Sequence, residues 1–375
     1  MSLLGIHLSV QIGPSLAAPA PASLMEVLKS VEVTHTDQGR SGFQLVFAVG
    51  RGRGDVEDYA LLADPLVAVG NRVVLGLTVG GIPEVLFDGF ITNQQFAPSL
   101  EPGASTLTLT GEDASYEMDR EERNEEYPGQ GDEAIVQNIL SRYAEIGVVP
   151  VVSTPEVTEQ PTEDERTTNQ QGTDYAYLTE LAQHYGFAFY VVPGPTSGQS
   201  QAVWGPPVRT GAPQRALSAN LGPETNVDSI DFSYDGLAAE LYTGRIQDRS
   251  DNSAVDVSSS STSRPTLGAS DPMATARTRI YRDSAADSAM AFARAQAMTD
   301  ASVENAVEAS GELDTGRYGG ILQARALVDL RGVGFLFDGT WYVKSVTHKI
   351  ERGSYKQAFS LAREALGSTT STAQV

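Results

Sequence analysis

Cysteine is absent from the 375 residues. That excludes disulfides, thiolate metal sites and a cysteine nucleophile, and it fits manufacture in a reducing compartment. Histidine is scarce: His7, His35, His184 and His348 stand singly, none in an HxH or HxxxH spacing, so a zinc centre would need parts from distant segments. Lysine occurs only at Lys29, Lys344, Lys349 and Lys356. With 48 acids against 26 lysines and arginines, the formal net charge is −22. Such a chain repels phosphate backbones and anionic bilayers, so neither stable nucleic-acid binding nor membrane insertion is expected. No apolar run reaches spanning length without a charge or breaker. The N-terminal MSLLGIHLSVQIGPSLAAPAPA lacks a basic n-region and reads as a first strand, with no signal peptide expected. GxSxG, Walker, HExxH and dinucleotide signatures are all missing. Glu121 and Glu122 are sequence neighbours whose side chains point apart, the wrong arrangement for an acid and base flanking one bond. The expectation is a non-enzyme with no catalytic, cofactor-binding or metal residues.

What the chain does have is strand-forming sequence, and one repeated word. LFDG occurs at Leu86, Phe87, Asp88 and Gly89, and again at Leu336, Phe337, Asp338 and Gly339. The surroundings agree in order. NRVVLGLTVGG precedes the first copy, and FITNQQF and TLTLTGED follow it. ARALVDLRGVG precedes the second, and TWYVKSVTHKI and KQAFSLARE follow it. Each half reads as strand, turn, strand, loop, strand, with period-two alternation. Asp-Gly suits a tight hairpin turn because glycine takes positive φ freely. The pattern predicts a duplicated antiparallel β module, with Gly89 and Gly339 at equivalent turns.

Between the halves the texture changes. Residues 112–133 are strongly acidic, a solvated face. DEAIVQNILSRYAE has a helical apolar face with Asp132 as its cap, and TDYAYLTELAQHY is a helix capped by Thr173 or Asp174 and stopped at Gly186. His184 falls on that helix's polar side, near its C-terminus, where a positive charge suits the dipole. Residues 193–223 read as Pro/Gly-rich loop with a short apolar insert, Ala202 to Trp204. Residues 226–250 read as two strands, 250–272 as a Ser-rich low-complexity stretch, and 284–299 as an Ala-rich helix. The fold class is therefore β-rich α+β, two duplicated antiparallel β-barrel domains with inserted α/β segments. The expected boundaries are 1–113 for the first barrel, 114–200 for an inserted α+β domain, 201–249 with 311–365 for the second barrel, 250–310 for a Ser-rich loop and helix insertion, and 366–375 for a flexible tail.

VLFDGFIT, LTLTGEDASYEMDREERNEEY, QQGTDYAYLTELAQHYGFAFYVV and the closing YVKSVTHKIERGSYKQAFSLARE, in that order, resemble the late-control D proteins of contractile phages and the hub part of VgrG proteins. The resemblance covers nearly the whole chain. It implies tube-like barrels and a structural baseplate hub in a phage tail or contractile injection system. It also implies a homotrimer with a pseudo-six-fold ring, partnered by a hexameric inner tube, a separate trimeric spike protein and baseplate wedge proteins, and assembled in the cytoplasm into the particle. A tail-associated glycan-degrading enzyme and a receptor-binding tail protein are the alternatives.

Overall fold

The computed structural model describes residues 2–3, 5–14, 17–50, 59–101, 103–158, 167–248, 252–282 and 287–369. The chain opens with β1 (Ile6–Gly13), the short α1 (Ala22–Val27), β2 (Leu28–Thr36), β3 (Gly42–Ala48), β4 (Arg72–Val79), β5 (Ile82–Ala97) and β6 (Thr106–Asp113). Their spatial order is β1-β4-β5-β6-β3-β2. Alternation drives the fold: Leu107 and Leu109 are buried while Thr106, Thr108 and Thr110 are only partly so. Leu8 and Val10 on β1 join the same apolar core as Val31 and Val33 on β2, so the first and last strands of the order enclose one interior. The β4–β5 hairpin turns at Gly80 and Gly81, both at positive φ.

An insertion follows: β7 (Glu122–Tyr127), α2 (Asp132–Ser141), β8 (Val148–Val152), β9 (Thr168–Thr173), α3 (Asp174–His184), β10 (Ala188–Pro193) and β11 (Ser200–Gly205). Strands β7 and β9 pair antiparallel, and β8-β11-β10 form a separate sheet. Ile135, Ile139, Leu178, Leu181 and Trp204 build the core between helices and sheet. The apolar insert expected in a loop is thus the central strand β11, and buried Trp204 donates Nε1–H to the Leu178 carbonyl at 3.2 Å. The Thr173 hydroxyl caps α3 by accepting the Ala176 N–H. Asp132 does not cap α2: Gly131 holds that position, and the Asp132 carboxylate accepts the Tyr185 hydroxyl at 2.7 Å instead. His184 closes α3, half-buried, with Nδ1 3.4 Å from an Arg294 guanidinium nitrogen.

The second β module begins with β12 (Gln214–Ser218) and β13 (Val227–Tyr234). It is interrupted by β14 (Glu240–Gln247), β15 (Ala254–Ser258), β16 (Arg277–Ile280) and α4 (Ser288–Val303), which form a three-stranded sheet with a helix against it. It resumes with β17 (Val307–Asp314), β18 (Leu327–Arg331), β19 (Gly339–Glu351) and β20 (Ser354–Arg363). Several expected boundaries therefore move. Strand β11 belongs to the first insertion, β14 to the second, and β17 starts the return at Val307 rather than after 310. The end of the expected tail, 370–375, lies outside the described residues. The module's order is β12-β18-β19-β20-β17-β13, and Leu217 on β12 and Val227 on β13 share one core with Trp341 and Phe359. Finally β2 pairs antiparallel with β19, from Ser345↔Thr36 to Glu351↔Ser30, and joins both modules, with the two-residue strands Ser2–Leu3 and Ala18–Pro19 beside β1, in a 14-stranded sheet among the described residues.

Candidate interaction surfaces

The two modules repeat one plan at the level of single residues. Substituting β13, β17, β18, β19 and β20 for β2, β3, β4, β5 and β6 reproduces the same strand order. Two register irregularities repeat as well. A bulge between Ile91 and Asn93 on β5 matches one between Val343 and Ser345 on β19, and a bulge between Leu28 and Ser30 on β2 matches one between Val227 and Ser229 on β13. A bulge leaves one residue unpaired and turns the strand locally, so four bulges in matched pairs fix a residue-by-residue alignment of the modules. Even a backbone conformation recurs. Gly70 has φ +90° and donates its N–H to the Ile91 carbonyl; Arg325 has φ +63° and donates to the Val343 carbonyl. The strands that differ are the outermost: β1 is antiparallel to β4, whereas β12 is parallel to β18.

The LFDG words are not what repeats. Ile91 corresponds to Val343, so Gly339 corresponds to Phe87 and not to Gly89. The expectation of equivalent turns is corrected here. Leu86, Phe87, Asp88 and Gly89 lie inside strand β5, all buried, while Leu336, Phe337 and Asp338 form the turn before β19 and Gly339 begins that strand. The physical reason is turn length. The β4–β5 link needs two glycines, whereas β18–β19 spends residues 332–338 on a longer loop that takes in the second LFDG.

The same four letters accordingly do different work. Asp88 is wholly buried and holds Arg72 through two hydrogen bonds, 2.6 Å from Nε and 3.0 Å from Nη2. Arg72 also donates to the Ile146 carbonyl at 2.8 Å, and Asp88 accepts the Gly198 N–H at 3.0 Å, so this pair ties the first module to the first insertion. Burial outweighs the guanidinium and holds the Asp88 carboxyl above its ordinary range. Asp338 instead folds back on its own loop, accepting the Val333 N–H at 2.9 Å, and buried Arg363, stacked 4.2 Å from the Trp341 ring, donates to the Leu336 and Asp338 carbonyls. The glycines differ too. A Cβ on Gly89 would meet the Glu112 carbonyl oxygen at 2.1 Å, a backbone atom that cannot swing away. Gly339 has φ +115° and its Cβ would meet the Ser368 hydroxyl at 2.9 Å. Both Gly89→Ala and Gly339→Ala are expected to destabilise, the first by about 1–3 kcal/mol or more from overpacking between strands and the second by about 1–3 kcal/mol of backbone strain. Thermal unfolding of the two variants checks the order, with Gly89→Ala the worse.

At the joint between modules, His35 on β2 sits 5.8 Å from His348 on β19, centroid to centroid. Neutral His35 donates Nε2–H to the Leu86 carbonyl at 3.0 Å, and His348 Nδ1 lies 2.9 Å from the Tyr355 hydroxyl. Desolvation first, then the charge of Arg325, lowers the His35 pKa to about 4; desolvation first, then His35, holds His348 well below the ordinary value. Arg325 spans three parts of the fold. Its guanidinium stacks 4.2 Å from Tyr190 of the first insertion and donates to the Ser41 hydroxyl at 3.2 Å, while its backbone pairs with β19. These contacts hold a non-glycine residue in a left-handed conformation that module one fills with glycine. A cleft of about 220 Å³ opens beside these groups, bordered by Glu84, Val192 and Gln323. On the opposite sheet face the joint is polar: Thr34 and Thr347 bring their hydroxyls within 3.0 Å, and Glu32 stands opposite Lys349.

Two strand edges lack what this joint supplies. Beyond Ile91, β5 pairs with β6 on one side only, and among the described residues no backbone group pairs with the other side of 93–97. Strand β13 pairs with β17 on one side, and its other edge is likewise open among the described residues. Asn93, Gln94 and Gln95 are exposed, as are Asp231, Ser233 and Tyr234. None of this was visible in the sequence, because which strand lies at an edge depends on long-range order.

Among the described residues no helix is long and apolar enough to cross a membrane, and no cluster of three His, Asp or Glu side chains could hold a metal ion. The fold is one shared by phage tail proteins. A tail protein from Neisseria meningitidis MC58 matches with TM-score 0.64 at 14% identity, over 96% of this chain and 97% of that one. The 43 kDa tail protein of prophage MuSo2 from Shewanella oneidensis matches with TM-score 0.62 at 14% identity, over 96% and 99%. A chain of the Francisella PdpA–VgrG complex matches with TM-score 0.57 at 9% identity, over all of this chain and 60% of that one. No curated protein matches. The family model described as the Alg8 N-terminal domain matches residues 44–352, and the chain belongs to that family.

Proposed function

We propose that the chain is a non-enzymatic structural protein of a contractile particle's baseplate, a homotrimeric hub between a hexameric inner tube and a trimeric spike. The observation that carries this reading is the duplicated module. Two copies of one β plan lie side by side in a continuous sheet, with matched bulges, inside a single chain. Three such chains offer six like units around a three-fold body, which is how a duplicated chain can meet both six-fold and three-fold neighbours. The likeness in fold to tail proteins, and to a chain of a PdpA–VgrG complex, supports the same role. The acidic surface suits a particle component that contents must pass without adhering. Mass photometry of the purified chain and symmetry analysis of the assembled particle test it: a ring of three chains is expected, and a ring of six copies of this chain would sink the reading.

A further inference from the structure

The joint within one chain supplies the template for a joint between chains. Strand β13 corresponds residue by residue to β2, and β5 to β19. Yet β2 and β19 are paired with each other, while the equivalent edges of β13 and β5 are left open among the described residues. Open edges present a row of unsatisfied N–H and C=O groups, and proteins normally cover, charge or pair them.

We propose that the free edge of β13 in one chain anneals antiparallel to residues 93–97 of β5 in a second copy of this chain, in the register of the internal joint. Carrying the alignment across sets Asn93 opposite Asp235, Gln94 opposite Tyr234, Gln95 opposite Ser233, Phe96 opposite Phe232 and Ala97 opposite Asp231, as Ser345 to Lys349 stand opposite Thr36 to Glu32. The side chains suit this register. Phe96 packs edge-on against Tyr59 at 4.7 Å, and Phe232 stacks on Phe337 at 4.3 Å, so pairing them makes one aromatic row across the interface. Tyr234, 54% exposed, gains cover beside Gln94. Gln95 and Ser233 take the places of Thr347 and Thr34, which hydrogen bond within the chain. In a chain of formal charge −22 this register sets no acid directly opposite another. The two edges are different surfaces, so the contact is head-to-tail, and such a contact forms a ring when its rotation divides a full turn and an open helix when it does not. The proposed hub role enters only through the number of chains in that ring.

Because the chain has no cysteine, a crosslink reports this register without background. Gln95→Cys combined with Ser233→Cys, in the full chain, should give disulfide-linked oligomers on mild oxidation, since directly opposed antiparallel positions meet the distance a disulfide needs. Gln95→Cys with Ser229→Cys, out of register, should stay monomeric on a non-reducing gel. A chain that remains monomeric in both variants, or crosslinks equally in both, overturns the proposal. A covalent ring of any size supports the pairing, and only a ring of three also supports the hub, so the two readings fail separately. Unchanged unfolding midpoints of the reduced variants confirm that the exposed substitutions leave the fold intact.

Discussion

Replacing Asp88 by alanine is expected to destabilise the chain by about 3–5 kcal/mol, the usual loss when one member of a buried ion pair is removed. The cost comes from what is left behind. Arg72, with 6% of its side chain exposed, would keep the Ile146 carbonyl but lose the carboxylate that meets two of its nitrogens. Gly198 N–H would lose its acceptor as well, so the damage falls where the first module meets the first insertion. Arg72→Ala should be comparably severe, because it strands a carboxylate that burial already strains. The pair itself is a poor source of net stability, since its attraction is set against the desolvation of two ions. Arg72→Met combined with Asp88→Leu should therefore recover most of the loss. Urea unfolding of the four proteins measures this cycle; single variants within about 1 kcal/mol of the parent would show that the pair is not holding the insertion.

Asp88 also shows what the sequence could and could not disclose. The order strand, turn, strand, loop, strand was legible twice over, because period-two alternation is local and Gly80 and Gly81 mark their own turn. Duplication was inferred from the matched order of elements around the two LFDG words; that order holds, while the words themselves are a coincidence. The real signature is bulges at Thr92 and Lys344, which depend on pairing with strands distant in sequence. The helix at Asp174 was readable from apolar spacing and that at Ser288 from its alanine content, and Thr173 from its capping chemistry. Trp204 was missed as the centre of a sheet because only Ala202, Val203 and Trp204 of β11 are apolar and Pro and Gly flank the strand on both sides. Arg325 was hidden for a related reason. It is the counterpart of Gly70, and no side-chain pattern announces a left-handed arginine. The open edges on β5 and β13 were beyond reach, since an edge is defined by the absence of a neighbour.

The chain should also lose stability as the pH falls from about 6.5 toward 4, and the joint between modules is where it should do so. Unfolded, His35 and His348 take up protons near the ordinary histidine pKa, about 6.5. Folded, His35 does so only near 4 and His348 is also held well below its ordinary value, because burial strips solvation from both rings and His35 faces Arg325. Within that window the unfolded chain binds more protons, so acid favours unfolding, and the loss levels off below the folded values. For His35 this amounts to up to about 3 kcal/mol, an upper figure because one side of the ring borders the cleft. His348 adds to it with the same sign. Protonation would also set two positive rings against each other. Glu84, Asp37 and Asp113 act in the opposite direction, since burial raises their folded pKa values and acid then favours the folded state. The histidine share is isolated by comparison with His35→Gln combined with His348→Gln, in which amides replace the rings and do not titrate. Urea unfolding at pH 7.5, 6 and 5 should show the parent losing stability faster than this variant. Parallel pH curves for the two proteins would mean that the buried histidines do not set the acid limit of the joint.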